Sequence, residues 1–92
     1  MNDVEINVQI RHINDEGPTM AYATVKLGGC FVIRDVRVVE GRNGLFISMP
    51  SRKAEDKYED ICFPCTKEFH QQFKDAVLEA YNAALEQQNR NE

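Results

Sequence analysis

Two groups of side chains in this 92-residue chain have types and spacing that could do chemistry. One is the thiol pair of Cys62-Phe63-Pro64-Cys65, set just ahead of a helix-like pattern. A CxxC at a helix N-terminus supports thiol–disulfide exchange. Redox modules place it after a parallel strand in a strand–helix–strand unit, and no such unit precedes it here. Cys30, Cys62, Cys65, His12 and His70 are also the candidate metal ligands. Structural zinc takes two closely spaced ligand pairs, and only one pair exists, so neither metal nor cofactor is expected. The two thiols then read as small apolar residues at a strand-to-helix junction. Three cysteines cannot all pair within one chain, which fits free thiols in a reducing compartment. No G-x-S-x-G elbow and no phosphate-cradling glycine loop occurs. Asp56, Glu59 and Asp60 sit in a polar stretch that reads as solvated surface. The expectation is a regulator or binding protein, not an enzyme.

The second group is basic. Residues 34–53 hold Arg34, Arg37, Arg42, Arg52 and Lys53 against Asp35 and Glu40. Residues 54–60 reverse the sign, with four carboxylates against Lys57. Arg and Lys contacts to phosphate give sequence-independent affinity, and a dimer doubles their number. The net charge of −4 excludes a chain coated in positive charge, so any anion site must be local. Scattered cations more often simply solvate a fold, and the patch does not by itself choose between these readings.

The elements that must position these groups follow from periodicity. Val4, Ile6, Val8 and Ile10 alternate with polar residues, as in a half-buried strand. Asn14-Asp15-Glu16-Gly17-Pro18 makes a turn. Thr19 to Leu27 reads as a second, antiparallel strand, whose Ala21 and Ala23 leave room for a long helix. Gly28-Gly29 is a hairpin signal. Cys30 to Val39 reads as a central strand apolar on both sides, with Phe31 and Ile33 pointing one way and Val32, Val36 and Val38 the other. After a turn at Glu40–Gly44, Leu45 to Met49 is a short edge strand suited to pairing across subunits. Ser51 to Lys57 reads as a loop and Tyr58 to Cys62 as a last edge strand. Phe69, Phe73, Val77 with Ala76, Ala80 with Tyr81, and Ala84 with Leu85 recur at three- and four-residue steps after Thr66, a plausible N-cap. A polar tail that frays is expected from about residue 87. The predicted fold is α+β: a small, curled antiparallel sheet of four to five strands with one long C-terminal helix across it, all in a single domain over residues 1–92.

No apolar run reaches the roughly 20 residues that span a bilayer. The segment Met1-Asn2-Asp3-Val4-Glu5 lacks the basic start and apolar core of a signal peptide. A cytoplasmic location without membrane attachment is expected.

The stretch from Phe31 to Lys53 contains Asp35, Arg37-Val38, Glu40-Gly41, Asn43-Gly44-Leu45-Phe46 and Met49-Pro50-Ser51-Arg52-Lys53 in that order. It closely resembles the core of the SpoVG family, the bacterial septation regulators named for stage V sporulation protein G. The likeness continues through Tyr58-Glu59-Asp60-Ile61, Pro64, Asp75-Ala76-Val77 and Tyr81, covering residues 4–85. It implies a homodimer that binds DNA or RNA and regulates septation, cell division and, in spore formers, sporulation. Carried over by position, Arg52 and Lys53 match the family's basic pair. Lys67, His70, Gln71 and Lys74 would form the exposed early helix face that contributes to sequence choice, with Arg37 and Arg42 as further cationic candidates. The competing expectation is a protein-interaction module of cell division without nucleic acid. It draws on a helical segment where three cations face five carboxylates over residues 67–92.

Overall fold

The computed structural model describes residues 4–14 and 17–90, with side chains through residue 88. Asp15 and Glu16 of the predicted first turn lie outside the described residues. The N-terminal alternation forms β1 (Ile6–Ile13), which pairs antiparallel with β2 (Thr19–Leu27). Gly28 and Gly29, at φ 61° and 73°, carry the chain tightly into β3 (Phe31–Gly41), and the Cys30 N–H closes the turn on the Leu27 carbonyl at 3.1 Å. Two positive φ angles in a row are what a strand-twist-matched hairpin turn requires, and glycine supplies them without strain. β4 (Gly44–Ser48) pairs with β3 and completes a sheet of order β1-β2-β3-β4.

The core lies on one face of this sheet. Ala21, Ala23 and Val25 of β2 and Ile33, Val36 and Val38 of β3 are buried against α1 (Lys67–Arg90). The helix contributes Phe73, Val77 and Tyr81, with Phe69 and Leu85 partly buried at the ends of the same four-residue stripe. Small side chains at Ala21 and Ala23 let these larger ones approach, as the sequence predicts. Thr66 caps the helix: its Oγ1 accepts the Phe69 N–H at 3.1 Å. The helix is described to Arg90. Straight-chain Glu86, Gln87 and Gln88 are good helix formers and propagate the helix beyond its packed face. No described helix is long and apolar enough to cross a membrane.

Two sequence expectations need correction. β3 is apolar on one face, not two. Arg34 and Asp35 together oppose Thr24, and Asp35 sits at φ 63°, so a β-bulge shifts the alternation. Ile33, Val36 and Val38 therefore all face the helix, and Val32 is exposed. The predicted loop at 51–57 is also ordered. β5 (Ser51–Ala54) and β6 (Lys57–Asp60) form a separate two-stranded hairpin, and β6 joins no other strand.

Candidate nucleic-acid interface

Pro50 ends β4 and starts the hairpin that carries the basic pair. Its carbonyl accepts the Ile61 N–H at 2.8 Å, which closes the hairpin base. Arg52 and Lys53 are consecutive on β5, so their side chains leave opposite faces of the ribbon. Arg52 pairs in register with Glu59, and Lys53 with Tyr58. The Arg52 guanidinium comes to 4.0 Å from the Glu59 carboxylate, with the two side chains 73% and 49% exposed. An ion pair this open contributes little in water and yields readily to a phosphate. The turn is made by Glu55 and Asp56, with Glu55 at φ 60°. The hairpin thus mixes both signs of charge over a few residues.

The helix begins six residues after Ile61. Lys67, His70 and Gln71 meet there in a shallow depression with Pro64, Cys65 and Thr66. Gln71 Nε2 donates to Asp75 Oδ1 at 2.8 Å, one turn along. Lys74, on the same helix, is half-buried. The hairpin base and the helix start are therefore joined by a short link, Cys62 to Cys65. Cys62 packs against the core, whereas Cys65 and Cys30 are exposed, and all three are free thiols. Among the described residues no three His, Cys, Asp or Glu side chains gather where they could hold a metal ion.

The remaining two candidates lie elsewhere. Arg37 is half-buried on the sheet face away from the helix and donates through its terminal guanidinium nitrogen to Ser48 Oγ at 3.0 Å. Arg42 is exposed in the β3–β4 turn, about 15 Å along the strand from Arg37 at the usual rise per residue. One chain thus groups Lys67, His70 and Gln71, presents Arg52 and Lys53 nearby in sequence, and keeps Arg37 and Arg42 apart. Arg34, counted in the basic stretch but not among the candidate contacts, shares the sheet face of Arg37 with Arg11 and Lys26, which the sequence did not single out. Their alternation with Gln9, Thr24 and Val32 was the available signal.

Comparison with known proteins adds an independent line. The family model SpoVG matches residues 4–83. A relative from Clostridioides difficile that carries the name septation protein SpoVG is 43% identical over 82 residues, covering 88% of this chain and 89% of its own. One of the same name from Caldanaerobacter subterraneus is 40% identical over 87 residues, or 94% of this chain and 96% of the relative. Another, from Caldicellulosiruptor saccharolyticus, is 42% identical over 80 residues, 86% and 91% of the two chains. With the sheet-and-helix fold and the Met-Pro-Ser-Arg-Lys run in place, this chain belongs to the SpoVG family of septation proteins.

Proposed function

We propose that this protein regulates septation as a cytoplasmic homodimer that binds DNA or RNA, using Arg52 and Lys53 on the β5–β6 hairpin and Lys67, His70 and Gln71 at the helix start. The observation that carries this reading is the exposure of Arg52 and Lys53 on a hairpin that stands apart from the main sheet. A projecting two-stranded ribbon is a shape that fits a nucleic-acid groove, and its cations reach phosphates without disturbing the core. Dimerisation doubles the cationic contacts of an otherwise acidic chain. The unpaired edge of β4 supports a subunit contact, because Gly44 to Ser48 holds none of the charges or prolines that block edge pairing.

The test is recovery and sequencing of nucleic acid bound to the native protein, beside the Arg52→Ala/Lys53→Ala variant. The proposal expects enriched nucleic acid with the first and loss of it with the second at equal protein. Equal recovery from both rejects the hairpin as the site.

A second reading has its own support. Tyr58, Ile61 and Phe63 are 71%, 66% and 64% exposed on and beside the hairpin, an apolar surface suited to a division-protein partner. Salt-insensitive capture of such a partner, with no nucleic acid retained, would favour that reading over the first.

A further inference from the structure

Among the described residues, nothing covers one face of the main sheet, the side opposite α1. The strand positions that point there hold Arg11, Lys26, Arg34 and Arg37 against a single carboxylate, Asp35. That is +3 on one face of a chain whose net charge is −4. Two bulges concentrate the charge. In β1 the register slips between Ile10 and His12, which makes Arg11 the extra residue. In β3 Arg34 and Asp35 share the place opposite Thr24. Both irregularities flank the same stretch of β2, and bulges commonly re-aim side chains where strands do something other than pair. Arg11 Nε donates to Thr24 Oγ1 at 3.3 Å. Arg11 and Arg34 both border shallow depressions around Thr24, one of which also takes in Asn7, Gln9 and Lys26. Beside them Tyr22 lies in register with both His12 and Arg37, with the Tyr22 and His12 rings 6.4 Å apart.

We infer that this open sheet face binds a single-stranded segment of RNA, with Arg11, Lys26 and Arg34 on its phosphates and Tyr22 and His12 as stacking surfaces for its bases. The inference rests on the reading that the chain binds nucleic acid, and it adds a site on a different sheet from the β5–β6 hairpin. Charge complementarity selects a polyanion. Exposed rings among the cations select unpaired bases, because a duplex keeps its base faces stacked within itself. Asn7, Gln9 and Thr24 place neutral hydrogen-bonding groups between the cations, where a ribose 2′-hydroxyl can use them.

The experiment is fluorescence anisotropy of the full chain with a labelled mixed-sequence 12-nucleotide RNA, the DNA strand of the same sequence, and its duplex, across a salt series. The variants are Arg11→Gln/Arg34→Gln, Tyr22→Leu and Arg52→Ala/Lys53→Ala. Each sheet variant is expected to bind the RNA about tenfold more weakly, with duplex binding retained. The double Gln variant is also expected to flatten the salt slope by about 1.4, for two lost single-strand contacts. RNA affinity unchanged in the sheet variants but lost in the hairpin variant overturns the sheet site and leaves the hairpin reading standing. No binding of any nucleic acid by the native chain overturns both. A sheet variant that dissociates a dimer while its RNA affinity holds shows a second copy covering this face, and overturns the inference. If a variant fails to fold, amide shift mapping of the native chain decides. Shifts on β1, β2 and β3 support the inference, and shifts confined to the hairpin and helix start overturn it.

Discussion

At the scale of single residues, the hairpin cations are held loosely and the core is held tightly. Arg52 shares its charge with Glu59 across an exposed 4.0 Å gap, so Glu59 competes with any phosphate for the same guanidinium. Glu59→Gln should therefore tighten nucleic-acid binding about two- to threefold, measured by anisotropy at fixed salt, without a change in melting temperature. Phe73 is the opposite case. It is buried beneath the sheet with Val77 and Tyr81, and Phe73→Ala should cost about 3–5 kcal/mol in urea unfolding. That is a large share of the stability expected for a domain of this size. The helix cap was legible because Thr66 stands three residues ahead of Phe69, where the apolar stripe begins, and its hydroxyl accepts the Phe69 N–H. Thr66→Ala should lower stability by about 1 kcal/mol in the same assay. The weight of Arg11, Lys26 and Arg34 was not legible. Arg11 and Lys26 are each the lone Arg or Lys of their strand, Arg34 shares β3 with Arg37, and only the pairing of three strands brings them to one face.

At the scale of elements, the readable parts were those whose pattern runs uninterrupted. The alternation of β1 up to Ile10, ahead of its bulge at Arg11, the Ala positions of β2 and the four-residue stripe of α1 each state their own geometry. Two elements hid theirs. In β3 the bulge at Arg34 and Asp35 breaks the count of two, so Ile33 and Val36, three apart, end on the same face. The β5–β6 hairpin was hidden for a different reason. Its turn is Glu55-Asp56, not Asn-Gly, and Glu55 carries a positive φ of 60° without the side chain that favours it. The left-handed conformation costs an ordinary residue about 1–2 kcal/mol, part of which glycine returns through its greater freedom when unfolded. Glu55→Gly should therefore stabilise the hairpin by about 0.5–1 kcal/mol, seen as slower amide exchange in β5 and β6. Faster exchange would show that Glu55 earns its place by some other contact.

At the scale of the whole molecule, the fold separates its jobs. One sheet face and α1 make the core. Among the described residues, the other sheet face carries no helix, and β5 and β6 pair with no strand of the main sheet. An acidic chain can hold a polyanion only through a local excess of cations. The open sheet face carries such an excess, whereas the hairpin sets Arg52, Lys53 and Lys57 among four carboxylates and offers Arg52 and Lys53 through their exposure. The central claim is thus electrostatic, and the salt dependence of nucleic-acid affinity tests it most directly. The measurement is the slope of log K against log salt for the native protein and for Arg52→Ala/Lys53→Ala on one duplex. The account predicts affinity that falls steeply with salt in the native protein. It predicts a slope shallower by about 0.9 for each phosphate contact the variant loses. A native slope near zero, or identical slopes for the two proteins, would contradict it.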